Sequence, residues 1–217
     1  MSEHAEAEKS PLISEALEAQ LEGILAPLQK PVTLVFLGGA DEKSEEMHRF
    51  LRHFTSLSAS LLLREPDDGQ KELLDAAFLP ATGLWNEGGF CRAVFHGVPG
   101  GHELSSFVTA VLAAGGAAKP LDKPTLRDIA KIKKPVVLQI CVSLGCQHCA
   151  RLVMDAQRTA LENPNVTAHM IDANLYPQLV EKYEIQRVPV VLSGGKVQAI
   201  GGMTLPELCT LLRKTAT

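Results

Sequence analysis

The chain has 217 residues, 46% of them hydrophobic and 21% charged, with a formal net charge of −4. This globular composition suffices for one large domain or two of about 100 residues. Mild acidity without basic clusters gives no support to nucleic-acid binding, and no apolar run approaches the roughly 20 residues of a membrane span. Residues 1–10 are acidic and lack a basic segment followed by an apolar core, so no secretory leader is expected and the cytoplasm is the default compartment.

After a tail over residues 1–11, Leu12, Ala16, Leu17, Leu21, Ile24, Leu25 and Leu28 recur at helical spacing. Pro31 stops that helix, and residues 32–37 form an apolar run of the kind buried on both faces of a sheet. Gly38-Gly39 turns the chain into a helix over 44–57, and Leu61-Leu62-Leu63 reads as a second strand before the polar stretch 65–69. Two short strands, 82–85 and 91–96, flank the turn Asn86-Glu87-Gly88-Gly89 as a hairpin, in which Trp85 and Phe90 are packing groups. A helix over 104–114 ends at Gly115-Gly116.

The order then recurs: a helix over 124–132, a strand over 135–140, a helix over 149–161 and a strand over 166–171. A short helix over 177–183 leads to a hairpin of 188–192 and 196–200, and Thr204 is placed to cap a last helix over 205–213. Asp172, just after its strand, reads as a turn cap. Pro31-Val32 opens one first strand and Pro135-Val136 the other; Gly101-His102-Glu103-Leu104 and Gly202-Met203-Thr204-Leu205 lead into the two last helices. A βαβ start with a ββα finish is the thioredoxin order. The expected architecture is therefore α/β, two tandem thioredoxin-like folds packed into one unit, with central mixed sheets flanked by helices over 12–117 and 118–217.

Cys146-Gln147-His148-Cys149 lies between a strand end and a helix start in the second half. The helix N-terminus offers unpaired N–H groups and a positive dipole that favour a thiolate on Cys146, the expected nucleophile, with Cys149 as the resolving thiol. His148 between them tunes the potential if its imidazolium favours the thiolate. Half a zinc site looks the same, so a zinc-holding binding module is an alternative, although Cys141 is the single candidate third ligand and no metal site is expected. Cys91, Cys141 and Cys209 sit singly in apolar patterns and read as buried, inert thiols.

Four stretches carry a more specific signal: 142–149 around the dithiol, Val188-Pro189-Val190-Val191, Gly201-Gly202-Met203-Thr204-Leu205, and Pro99-Gly100-Gly101-His102-Glu103. Through them the chain resembles the N-terminal region of the alkyl hydroperoxide reductase flavoprotein subunit. That resemblance implies a fused pair of thioredoxin-like folds with one live redox centre. It would take electrons from a thioredoxin-reductase-like flavoprotein and reduce a peroxiredoxin or another disulfide protein. The chain ends at Thr217, about where the family enters its flavin and pyridine-nucleotide domains, and holds no strand-associated Gly-x-Gly-x-x-Gly. FAD and NAD(P)H are thus expected only in a partner reductase, with no cofactor bound here beyond the Cys146–Cys149 disulfide. The chain is also similar to the archaeal-type protein disulfide oxidoreductases, which usually carry a dithiol in both halves.

The resemblance assigns further roles. In thioredoxin-like folds a cis-proline loop faces the sulfurs, which is the place of Pro189, with the backbone of Val188 available to a substrate peptide; Pro80 matches it in the first half. The strand acid that assists the second cysteine of thioredoxins is replaced by Ile140, so the base must come from elsewhere. Glu65 matches a glutamate that the family holds near its dithiol and is expected to reach across from the first half. His102 and Glu103 belong to the resemblance without an assigned chemistry. A glutaredoxin-like or disulfide-isomerase-like protein acting on glutathione or client disulfides is the alternative within the class.

Overall fold

A computed structural model describes residues 9–215. The expected tail falls outside the described residues over 1–8, while Ser10 is buried and its N–H donates to His53 Nδ1 at 3.1 Å. Helix α1 (Glu15–Leu25) starts where Ser14 Oγ accepts from Leu17 N and buries Leu21 and Leu25. Strand β1 (Val32–Leu37), helix α2 (Glu42–Ser56) and strand β2 (Leu61–Arg64) follow. The polar stretch after β2 forms a further short helix, α3 (Asp68–Leu73), held by a reciprocal capping box between Asp67 and Gln70. Strands β3 (Ala81–Asn86) and β4 (Gly89–His96) form the hairpin, with Trp85 and Phe90 rings 4.6 Å apart, and α4 (Glu103–Ala114) follows.

The remaining elements are α5 (Lys123–Ile129), β5 (Val136–Val142), α6 (Gln147–Glu162), β6 (Val166–Asp172), a 3₁₀ turn (Ala173–Leu175), α7 (Pro177–Lys182), β7 (Val190–Ser193), β8 (Lys196–Ile200) and α8 (Leu205–Thr215). Strand β7 begins two residues later than the apolar run suggests, because Pro189 has no N–H to give a ladder. Thr204 stands at the N-cap of α8: its carbonyl accepts from Leu208 N at 2.9 Å, and its N–H and hydroxyl both donate to Glu207 Oε2, at 2.7 and 2.8 Å.

The strands form one mixed sheet of order β2-β1-β3-β4-β6-β5-β7-β8 rather than two. The seam is the parallel pairing of β4 with β6, where Val94 faces His169 and His96 faces Ile171 in register. Across it His96 Nε2 lies 2.8 Å from His169 Nδ1, and His96 Nδ1 lies 2.6 Å from Phe78 O. Burial pushes both imidazoles well below their ordinary value. One apolar core runs through both halves, from Leu34, Phe50 and Phe107 to Leu138, Val153 and Leu212. Helices α4 and α6 lie side by side on it, with Thr109 Oγ1 3.5 Å from Met154 Sδ.

Candidate functional site

Strand β5 ends at Val142 and a tight turn, with Cys146 N donating to Ser143 O at 2.9 Å, delivers Cys146 as the N-cap of α6. Cys146 Sγ accepts from Cys149 N at 3.3 Å, so the helix start points a backbone donor at this sulfur. The two cysteines are disulfide-bonded with a Cα–Cα distance of 5.3 Å. Cys146 is half-buried, whereas Cys149, one turn into the helix, is wholly inaccessible. An incoming disulfide can therefore meet the first sulfur but not the second. His148 is exposed on the first turn of α6, and Cys91, Cys141 and Cys209 are free and buried. Burial pushes the Cys91 and Cys141 thiols up to about 11 and about 12, which keeps them protonated.

The same turn in the first half carries a hydrogen-bonded copy of this arrangement. Asp41 caps α2, accepting from Lys43 N and Ser44 N at 3.0 Å each, and Ser44 Oγ donates to Asp41 Oδ2 at 2.7 Å. Asp41 and Ser44 have the spacing of Cys146 and Cys149. The first half thus keeps the cap and the link between the two positions but has no sulfur there to oxidise.

Val188–Pro189 and Leu79–Pro80 are both cis, and their carbonyls make matching bonds, from Gly201 N to Pro189 O at 2.8 Å and from Gly97 N to Pro80 O at 2.9 Å. Antiparallel pairing sets Cys141 opposite Val190. Extending that register brings Val188 beside the turn that follows β5. Val188 is half-buried, and Val188, Cys146 and Met203 all pack against the core's edge.

Ile140 is buried in the apolar core, so no acid stands on β5 at that place. The structure does not bring Glu65 to the dithiol. It is exposed just past edge strand β2, and β1, β3, β4 and β6 lie between β2 and β5. The first half instead brings Glu103 to the dithiol's end of the sheet. The loop after β4 is pinned to the turn preceding Cys146: His102 N donates to Leu144 O at 2.9 Å, and a Cβ on Gly101, whose φ is +55°, would collide with that carbonyl. This sets the first turn of α4 against the first turn of α6. Glu103 is 0% exposed there. Ser106 Oγ lies 2.5 Å from its Oε2, while Oε1 has no hydrogen-bond partner. Burial raises the carboxyl to about 7, with Ser106 opposing the rise and the Asp172 charge adding to it. Asp172 is itself buried at the end of β6, its Oδ1 capping the following turn through Asn174 N and Nδ2, and burial raises it too, against Lys43.

Sequence reasoning missed Glu103 because a glutamate in a first helical turn suits the dipole wherever it points. A usable signal was the internal alignment, in which Thr204 stands at the matching place of the half that owns the dithiol.

A thioredoxin-domain family profile matches residues 136–212, the span from β5 into α8. The solved N-terminal domain of the alkylhydroperoxide reductase AhpF from Enterococcus faecalis is 35% identical, with a TM-score of 0.85 over 92% of this chain and 99% of its own. The chain belongs to the family of this N-terminal domain of AhpF. The alkyl hydroperoxide reductase AhpF of Staphylococcus aureus (strain NCTC 8325) is 31% identical over 206 residues, or 94% of this chain. The chain spans 38% of that relative's length. A protein disulfide oxidoreductase from Aeropyrum pernix, 20% identical with a TM-score of 0.82, shares the fold. Like other members of this thioredoxin-like group, the chain is a dithiol/disulfide oxidoreductase. Among the described residues no helix is long and apolar enough to cross a membrane, and no group of three or more His, Cys, Asp or Glu could hold a metal ion.

Proposed function

We propose that the chain is a two-electron relay that accepts electrons from a thioredoxin-reductase-like flavoprotein unit and passes them to the disulfide of a peroxiredoxin. The observation that carries this reading is the pairing of a half-buried Cys146 with a sealed Cys149 at a helix start, next to the helix turn that holds the unpartnered Oε1 of Glu103. The name of these relatives, alkyl hydroperoxide reductase, supports the peroxiredoxin as the electron acceptor. Three buried free thiols fit a reducing, cytoplasmic compartment.

In the reduced protein the Cys146 thiolate attacks one sulfur of the partner disulfide, which breaks and releases the other sulfur as a thiolate. Cys149 then passes its proton to Glu103 and attacks Cys146 Sγ. The Cys146–partner bond breaks, the Cys146–Cys149 bond forms, and the partner leaves with two electrons more than it brought. Reduction by the flavoprotein unit runs the same exchange backwards, with Glu103 returning the proton to the departing Cys149. Val188 supplies extended backbone beside the sulfurs for a substrate strand, and His148, exposed on the first turn of α6 between the two cysteines, tunes the potential.

Cys146→Ser should abolish reduction of a peroxiredoxin disulfide, and Cys149→Ser should accumulate a mixed disulfide through Cys146, seen as a reductant-sensitive adduct by mass spectrometry. Peroxiredoxin reduction at the wild-type rate by the Cys146→Ser protein would end this reading. Stoichiometric zinc in the reduced protein as purified would replace it with a metal-holding module.

A further inference from the structure

Ser106 is buried without exposure one turn along α4 from Glu103. Its hydroxyl has one proton and two acceptors in reach: Glu103 Oε2 at 2.5 Å and the Glu103 backbone oxygen at 2.8 Å. Resting on the reading of Glu103 as the proton acceptor of Cys149, we infer that Ser106 is its positioning residue: it clamps Oε2, presents Oε1 to the sulfurs, and serves both protonation states.

The bond to Oε2 explains how. While Glu103 is a carboxylate, the Ser106 hydroxyl donates to Oε2, a charge-assisted bond that offsets part of the cost of burying the charge. When the carboxyl is protonated on Oε1, Oε2 becomes its carbonyl oxygen and goes on accepting from the Ser106 hydroxyl. No side chain has to move between the two states, and Ser106 and Oε2 stay paired in either. Oε1 is left as the carboxyl oxygen without a protein partner, so a proton from Cys149 meets that oxygen. The other charge acting on Glu103 is Asp172 at the end of β6, which works against ionisation and is itself favoured as a carboxylate by Lys43 on α2; α6, which carries the cysteine pair, packs along α4.

The test isolates the Cys149 step. Reduced protein is loaded at Cys146 with an aromatic disulfide reagent, and release of the second aromatic thiol is followed against pH in the full chain. Ser106→Ala should move the midpoint of that step up by about one pH unit, the scale expected for losing a hydrogen bond to a charged group. Ser106→Thr, which keeps the hydroxyl, should restore it. Glu103→Gln should remove the titration, and Ser106→Ala should add no shift on top of it. A wild-type midpoint in the folded Ser106→Ala protein overturns the role of Ser106 alone; a wild-type profile in Glu103→Gln overturns the base assignment beneath it. A carboxyl carbon NMR titration of Glu103 in the Ser106→Thr protein gives a second readout, and an upward shift there overturns the clamp.

Discussion

Replacing Glu103 with Gln should make the protein less sensitive to alkaline pH, and the size of the effect follows from the site. The folded carboxyl titrates at about 7 against an ordinary 4.5, because burial disfavours its charged form. A carboxyl raised on folding gives stability that is complete below the unfolded value and is lost as pH rises through the folded one. The gap of about 2.5 units, at about 1.4 kcal/mol per unit, amounts to about 3 kcal/mol over the full window, of which roughly 2–3 kcal/mol falls between about pH 5 and pH 8.5.

Gln keeps the shape and an oxygen for Ser106 but puts an amide donor where Oε1 had no partner. That donor costs on the order of 1–3 kcal/mol if nothing receives it. The cost is independent of pH, so the informative quantity is the change between two pH values, not the stability at either. Asp172 is raised as well, by burial, and its contribution runs in the same direction in both proteins. Urea unfolding of the oxidised proteins at about pH 5 and pH 8.5 should show wild type losing about 2–3 kcal/mol relative to Glu103→Gln across that interval. Parallel pH dependences would mean that Glu103 is ionised as easily inside the protein as outside, and its assignment as a base near neutrality would fall with them.

Other changes separate structural from chemical roles. Asp41→Ala removes the cap of α2 and the bond to Ser44, which should cost about 1 kcal/mol, or about 2–4 °C in melting temperature. Calorimetry should show that loss while thiol exchange at Cys146 stays at the wild-type rate; a slowed exchange would give the first-half turn a part in the chemistry. Gly101→Ala places a Cβ against the Leu144 carbonyl at a residue whose φ is +55°, so it should destabilise by more than about 1 kcal/mol. Exchange kinetics should also slow, since the turn feeding Cys146 has to shift. At the seam, His96 and His169 are held neutral, and depressed imidazole values mean stability that is present at neutral pH and is lost as pH falls. Imidazole NMR signals of both residues should not titrate between roughly pH 7.5 and pH 5, and protonation of either within that range would contradict the burial argument.

The strands were readable because residues 32–37 and 135–140 are apolar on both faces, as strands covered by helices on each side must be. The dithiol was readable because two sulfurs at that spacing between a strand and a helix have few other uses. Helix α3 left no periodic trace because none of its residues is buried; its capping-box residues, Asp67 and Gln70, were the visible sign. Glu103 was hidden for the converse reason. Its burial follows from contacts of the β4–α4 loop with Leu144, far along the chain, and nothing local in Gly101-His102-Glu103 records them. Ile140 on β5 marks the absence of an acid, and the first half does bring a buried carboxyl toward the dithiol. Glu65 cannot be that group, because the end of β2 is at the outer edge of a sheet whose single seam is at β4.

That seam gives a physical reason for a half without sulfur chemistry. Pairing β4 with β6 covers an edge that the second half would otherwise expose along Ala168 to Ile171, an open invitation to pair with another chain. The same pairing fixes where β4 ends, and so where the loop over residues 97–102 goes. It goes to Leu144, two residues before Cys146, and its continuation into α4 buries Glu103 against the start of α6. If Glu103 is the dithiol's base, that base sits one strand and one loop away from the covered edge. A change that loosens the seam should then cost stability and proton transfer together, whereas one that removes Glu103 or Ser106 should alter proton transfer while leaving the seam intact. Comparing pH profiles with unfolding curves for the two kinds of variant would show whether the first half acts as a brace, a source of the acid, or both.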